Sequence, residues 1–208
     1  YVFTRQTGPT HATAAAPCPA PNGTAPRRTA FTQPPPTCTA AHTAYSAKVA
    51  TDVGTFTIGL ARGNPEVVNS FVYLARYHYY RDLTFDRVIP GFVVQGGDLH
   101  PPTRANPSPT GPQGPGYTVR GTVPKAGTYQ VGTVAMAKTG SAPAGTAGAQ
   151  FFVIVGPQGT SLPPDYTVLG HVTSGMKVVN RIAADGGPQP HGYPKVVHKM
   201  RSVTISPG

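Results

Sequence analysis

The stretch Phe85-Asp86-Arg87-Val88-Ile89-Pro90-Gly91-Phe92-Val93-Val94-Gln95-Gly96-Gly97-Asp98 decides how this chain is read. Residues 86–89 and 92–95 are rich in β-branched and aromatic side chains, and Pro90-Gly91 marks a turn between them, so two adjacent strands are expected. Arg87 and Gln95 sit among Phe, Val and Ile. Their polar heads must lie at the edge of an apolar surface, because burying them unpaired within it is costly. Gln150, directly before Phe151-Phe152-Val153-Ile154-Val155, repeats the pattern. Each has an ordinary explanation when taken alone: a solvated strand arginine, or a glutamine satisfying buried backbone groups.

Outward from this block, further short strands are expected over 132–137, 150–155, 166–172 and 196–205. Upstream, Val49, Thr51 and Val53 alternate, and Asp52-Val53-Gly54 turns the chain into Thr55-Phe56-Thr57-Ile58-Gly59-Leu60, a hairpin pattern. Asn64-Pro65-Glu66 supplies a cap, a first-turn proline and a first-turn acid. Val68, Phe71, Val72 and Ala75 then recur at helical spacing, which predicts an amphipathic helix ending near Tyr77. A second helix, opened by Ser174, carries Met176, Val179, Ile182 and Ala183. Residues 101–116 are rich in proline and glycine and read as a surface loop. Many short strands with two helices predict a mainly β fold, a closed barrel capped at its ends.

Composition agrees. The chain has 208 residues, with 25 glycines, 25 prolines and only 12% charged residues, which excludes long charged helices and allows one domain plus an appendage. Residues 1–44 form that appendage: Pro17, Pro19, Pro21, Pro26 and Pro34-Pro35-Pro36 enforce extended geometry, so this arm should build no core by itself. The second segment is 45–208. No apolar run exceeds five residues, so no membrane span is expected.

The formal charge of +10 arises as much from scarce acids as from abundant bases. Weak polyanion contact fits it, but Arg27-Arg28 is the sole adjacent basic pair, and nucleic-acid binding is disfavoured. Both cysteines, Cys18 and Cys38, lie in the arm, outside the apolar segments where buried thiols normally sit. That distribution points to a disulfide, and hence to an oxidising compartment, with two unpaired thiols as the alternative. Asn22-Gly23-Thr24 is an N-glycosylation sequon. A start at Tyr1 without Met or an apolar leader reads as a mature product, so a secreted or cell-surface location is expected.

His11, His42, His78, His100, His171, His191 and His198 show no metal-site spacing, and neither a metal nor a cofactor is expected. Gly-x-Ser-x-Gly and phosphate-cradling loops ending in Lys-Ser or Lys-Thr are likewise missing from the sequence.

Residues 45–208 resemble the cyclophilin family of peptidyl-prolyl isomerases. Four blocks carry the likeness in the family's order: residues 85–98 quoted above, Gly132-Thr133-Val134-Ala135-Met136-Ala137, Ala149-Gln150-Phe151-Phe152-Val153-Ile154, and Leu162-Pro163-Pro164-Asp165-Tyr166-Thr167-Val168-Leu169-Gly170. The resemblance implies a closed eight-stranded antiparallel barrel with a helix over each end, and catalysis of X–Pro isomerisation in proline-containing polypeptides. It implies Arg87 as the catalytic arginine, with Phe92 and Gln95 beside it, Gln95 holding the substrate carbonyl. Phe92, Val93, Phe152 and Leu162 would form the cup for the proline ring, Ala137 and Gln150 would line the groove, and Tyr166 would close the rim.

There are departures from the family pattern. Ser161 stands where the family often carries Trp, so strong cyclosporin binding is not expected. Val93 replaces a common Met, Lys138-Thr139 a frequent Asn-Ala, and Tyr166 a frequent His. These changes reshape the rim and leave the arginine and aromatic floor in place. Two readings of other classes compete: an extracellular assembly subunit that self-associates through residues 1–44, and a basic module that binds polyanions.

Overall fold

The computed structural model describes residues 14–208; His11 and the rest of the first thirteen residues of the arm lie outside them. In chain order the elements are β1 (Tyr45–Thr51), β2 (Gly54–Leu60), α1 (Pro65–Arg76), β3 (Phe85–Ile89), β4 (Val93–Gly96), β5 (Val119–Arg120), β6 (Thr133–Met136), β7 (Thr146–Ala147), β8 (Phe151–Ile154), α2 (Pro157–Thr160), β9 (Val168–Ser174), α3 (Met176–Ala184) and β10 (Met200–Pro207). Eight strands form one antiparallel sheet in the order β10-β1-β2-β9-β6-β8-β4-β3, and β5 pairs with β7 in a small separate ribbon.

The sheet curls until its two edge strands approach each other. A single bridge, Thr84 to Lys199, joins them, flanked by Phe85 N donating to His198 O at 2.9 Å and Met200 N to Leu83 O at 2.8 Å. The expected barrel is therefore present, with its seam closed by a few bonds at one end of β3 and β10. Its core alternates along the strands as a half-buried sheet requires: Ala47 and Val49 on β1, Phe56 and Ile58 on β2, all at 1% exposure or less. Helix α1 packs near β10, and α3 covers β2, β3 and β4.

Several local expectations are corrected. Asn64 holds the N-cap position of α1, but its side chain makes no capping hydrogen bond there. Its side chain instead ties two distant segments, donating to Val168 O at 3.0 Å and accepting from the Thr122 amide and hydroxyl at 2.8 and 2.6 Å. Helix α3 starts at Met176 behind Gly175, whose φ of +81° suits glycine, while Ser174 ends β9. The four-residue α2 and the β5–β7 ribbon had no periodic pattern to announce them.

The described residues of the arm also bear on α1. Helix α1 was expected to show one solvated face, yet Val67 to Ala75 are all buried. Described residues of the arm cover that face. Asn69 accepts from the Cys38 and Thr39 amides at 2.7 and 3.1 Å and donates to Pro36 O at 2.9 Å. Tyr73 and Tyr77 donate their hydroxyls to Ala16 O and Pro17 O. Cys18 and Cys38 are joined as a disulfide. Phe31, within the loop this closes, enters the main core at 6% exposure against Tyr73, Tyr77 and Tyr117. Burying such a ring is worth about 1.5–3 kcal/mol, so this residue of the arm contributes to the core of the second segment. The basic pair is also engaged: Arg27 donates to His78 O and Arg81 O, and the Arg28 guanidinium lies 4.9 Å from the Phe31 ring centre. Among the described residues no helix is long and apolar enough to cross a membrane.

Candidate active site

Strands β4, β6 and β8 are buried on both faces, which is why they read as nearly continuous apolar runs. Val94, Val134, Met136, Phe151 and Val153 point into the barrel. The alternate residues Val93, Ala135, Phe152 and Ile154 form a second apolar cluster on the outer face with Tyr129, bordered by Phe92, Ala137, Leu162, Tyr166 and Val168. Register aligns the outer residues: Gln95 pairs with Phe152, and Phe152 with Ala135.

Arg87 joins this row because β3 slips. Phe85 pairs with Gly96 and Arg87 with Gln95, so Asp86 is an extra residue in the strand, a β-bulge. In regular pleating, residues 85 and 87 would share a face. The bulge inverts the phase after Phe85, which stays fully buried inside the barrel, and turns Arg87 outward to sit beside Gln95. The following turn fits its residues: Pro90 precedes Gly91, whose φ is +75°, and Phe92 N closes it onto Ile89 O at 3.0 Å.

The result is a pocket of about 280 Å³ lined by Arg87, Phe92, Val93, Gln95, Ala137, Lys138, Phe152, Leu162 and Tyr166. The Arg87 guanidinium carbon lies 5.5 Å from the Phe92 ring centre, and its Nη2 makes one long bond, 3.5 Å, to Pro190 O. Burial draws its pKa down from the ordinary arginine value, with Tyr166 and Asp86 pulling the other way. Arginine remains a cation throughout the working range. Phe152 and Tyr166 meet edge to face at 5.3 Å. A wider cavity of about 690 Å³ adjoins the pocket and shares Arg87, Gln95, Ala137 and Lys138 with it, adding Asp86, Asp98, Gln113 and Gln150.

Eight of the proposed residues line the smaller pocket, and Gln150 lines the larger one. Gln95 Nε2 donates to Gln150 Oε1 at 3.1 Å, and Gln150 Nε2 to Asp98 Oδ2 at 3.0 Å. Ser161 is exposed next to Leu162.

Three contributors, Tyr129, Asp98 and Asp86, escaped the sequence reading, and a fourth, Lys138, entered it only as a change at the rim. Tyr129, 3% exposed, donates its hydroxyl to Tyr166 O at 2.6 Å and accepts from Tyr166 N at 3.0 Å, fixing the rim residue from a loop. Lys138 Nζ sits 5.5 Å from the Tyr166 ring centre and donates to Ala142 O at 3.1 Å. Asp98 is 2% exposed and anchors the glutamine pair. Asp86 has a buried Oδ1 with no partner among the described residues; burial, then the Asp98 charge, push its pKa up to about 7 against its own amide and Arg87. Such a site, a greasy cup with one cationic fork and two carboxamides at its lip, holds a small apolar ring while donating hydrogen bonds to the amide beside it. Among the described residues that line it, no nucleophile stands poised beside a base.

Residues 46–205 match the family described as Cyclophilin type peptidyl-prolyl cis-trans isomerase/CLD. The chain is 40% identical over 120 residues to Peptidyl-prolyl cis-trans isomerase B of Bacillus subtilis, covering 57% of this chain and 76% of that one. It is 35% identical over 149 residues to the Peptidyl-prolyl cis-trans isomerase of Helicobacter pylori, covering 68% and 82%. Its fold matches the crystal structure of a cyclophilin type peptidyl-prolyl cis-trans isomerase from Cryptosporidium parvum with a TM-score of 0.63 and 24% identity, over 78% of this chain and 98% of that one.

Proposed function

Because this chain belongs to the cyclophilin-type peptidyl-prolyl cis-trans isomerases, we propose that it turns X–Pro bonds of exported polypeptides, with Arg87 as the group that favours the twisted amide. The barrier to rotation, about 18–20 kcal/mol, is the cost of breaking amide resonance, and no acid, base or nucleophile is needed to cross it. As the bond twists, the prolyl nitrogen turns pyramidal and regains its lone pair. A guanidinium donor beside that nitrogen binds the twisted state better than either planar one.

The shape of the cup supports the remaining roles in this reading. Phe92, Val93, Phe152 and Leu162 seat the pyrrolidine ring; Gln95 donates to the carbonyl of the residue before or at the proline; Ala137 and Gln150 line the path of the chain; Tyr166 closes the rim. A pocket of about 280 Å³ suits one small ring and little more. The observation that carries this reading is the single outer row Arg87, Gln95, Phe152, set by strand register at the lip of that pocket. Service to exported chains rests on the Cys18–Cys38 disulfide, which calls for an oxidising compartment. The test is twofold. The protein should accelerate cis–trans relaxation of a short prolyl peptide, and under oxidising conditions it should speed the proline-limited refolding of a disulfide-bonded protein. No acceleration of the peptide would overturn the catalytic reading, and acceleration of the peptide alone would overturn the exported substrate class.

A further inference from the structure

Between the N-terminal arm and the glutamines of the pocket runs an unbroken set of short contacts. Phe31 N donates to Pro115 O at 2.8 Å, pinning the far end of the 101–116 loop onto the arm. Gly116 follows, with a φ of +97°, and a Cβ there would collide with the Phe31 carbonyl oxygen, so arm and loop are fitted at backbone contact. Two residues upstream of Pro115, the loop crosses back to the barrel: Gln113 O accepts from Leu99 N at 3.2 Å, and Pro112 O is 2.7 Å from His100 Nδ1. His100 N donates to Asp98 Oδ1 at 2.8 Å, and the other Asp98 oxygen accepts from Gln150. Gln113 and Gly114 also form part of the wall of the larger cavity.

The chemistry of these groups sets a direction. A carboxylate only accepts, so Asp98 compels Gln150 to turn its NH₂ toward it and its carbonyl toward Gln95. Gln95 must then present its own NH₂ to Gln150, which leaves its second N–H for a carbonyl in the groove. The orientation of the donor is thus decided at Asp98, and Asp98 is held by the loop whose far end Phe31 anchors, by its backbone at Pro115 and by its ring against Tyr117, which follows Gly116. We propose that Phe31 is a positioning residue for the isomerase site, holding the 101–116 loop so that His100, Asp98 and Gln150 present the Gln95 amide to the substrate carbonyl. This rests on the assignment of Gln95 to that carbonyl. Arg87 stands on β3 outside this relay, so losing the anchor weakens substrate binding and spares the twisting step.

Phe31→Ala should raise KM for a prolyl peptide by about three- to tenfold, a coupling of the size measured between residues of one network, with kcat within about twofold. Phe31→Leu, which keeps an apolar filler but loses the ring's contacts to Tyr73, Tyr77 and Tyr117, should raise KM by about twofold, between wild type and Phe31→Ala. His100→Ala, on the exposed side of the loop, should raise KM similarly, and the double variant should be less than additive. Should Phe31→Ala not fold, Phe31→Leu decides: a KM raised above wild type at unchanged kcat supports the proposal, and a wild-type KM overturns it. Side-chain amide NMR signals of Gln95 and Gln150, read without substrate, should shift in Phe31→Ala while β1 amides stay put. Unchanged signals and KM, or a full additive effect with His100→Ala, overturn the proposal. If the signals move in a protein whose wild type does not isomerise peptides, the positioning stands and the catalytic reading falls.

Discussion

Arg87 and Gln95 are direct cross-strand partners on the outer face of the barrel, although Phe85, two positions before Arg87, faces the interior. The single extra residue Asp86 creates that relationship, and the placement of the guanidinium depends on it.

Gly96, opposite the bulge, has no room for a side chain: a Cβ would lie 2.5 Å from Thr84 O and 3.2 Å from Phe85. Gly96→Ala should therefore push β3 away from β4, costing about 1–3 kcal/mol of stability as overpacking does and lowering turnover together with it. Denaturant unfolding and a peptide assay on the same preparation check this; unchanged values for both would show that the bulge tolerates displacement.

Asp86 gives the enzyme a titration beside its cation. Below about 7 its carboxyl is neutral; above, its charge partly offsets Arg87, which on the proposed role of that arginine weakens the pull on the prolyl nitrogen. Turnover should thus rise as pH falls through about 7, and Asp86→Asn should hold the acid-side value across the range. A pH–kcat profile checks it, and an identical step in the variant would assign the titration elsewhere.

His198 links three elements at 4% exposure, with Nδ1 2.9 Å from Asp52 and Nε2 2.9 Å from Asp185. Burial lowers its pKa, but the bonds to Asp185 and Asp52 outweigh it and the net shift is upward from 6.5. For Asp52, burial raises the pKa, and the bonds from His198 and the Lys199 amide outweigh that, bringing it below 3.8. A raised histidine stabilises fully below its unfolded value and loses that contribution as pH climbs through the folded one. A lowered carboxylate stabilises above its unfolded value and loses that contribution as pH drops through the folded one. The stabilisation is therefore complete between 3.8 and 6.5 and fades on both sides. His198→Asn should lose stability most within this window and least at alkaline pH, read by denaturant midpoints along a pH series.

Cys18 and Cys38 enclose Phe31, so their bond restrains the arm before folding as well as after. Closing a loop of this size is worth roughly 3 kcal/mol in the chain-entropy picture. Cys18→Ser with Cys38→Ser should lower unfolding free energy by about that amount while Phe31 still docks, as 6% exposure against three tyrosines favours. Calorimetry of the double variant decides it.

Much of this arrangement was legible in the chain. Alternation along 45–60 and the strand patterns at 86–89, 92–95 and 150–155 are local signals, and Arg87, Gln95 and Gln150 stood out there as polar groups among apolar neighbours. What escaped depends on contacts distant in sequence. Nothing local says that Asn64 will reach Thr122 and Val168 instead of capping α1, or that Tyr129 will grip the Tyr166 backbone from a loop. Phe31, isolated among prolines and threonines, has no pattern to mark it as core; only the uncovered face of α1 gives it a place. The Asp86 bulge escaped for a related reason, since a one-residue slip is invisible until the partner strand is in place.

The most direct test is Arg87→Ala, assayed for prolyl-peptide isomerisation beside a circular-dichroism melt. Removing one preorganised donor to a transition state typically costs about 100- to 1,000-fold in turnover, and a loss of that order with an intact melt is the predicted result. Wild-type turnover in a folded Arg87→Ala protein would contradict the account at its centre.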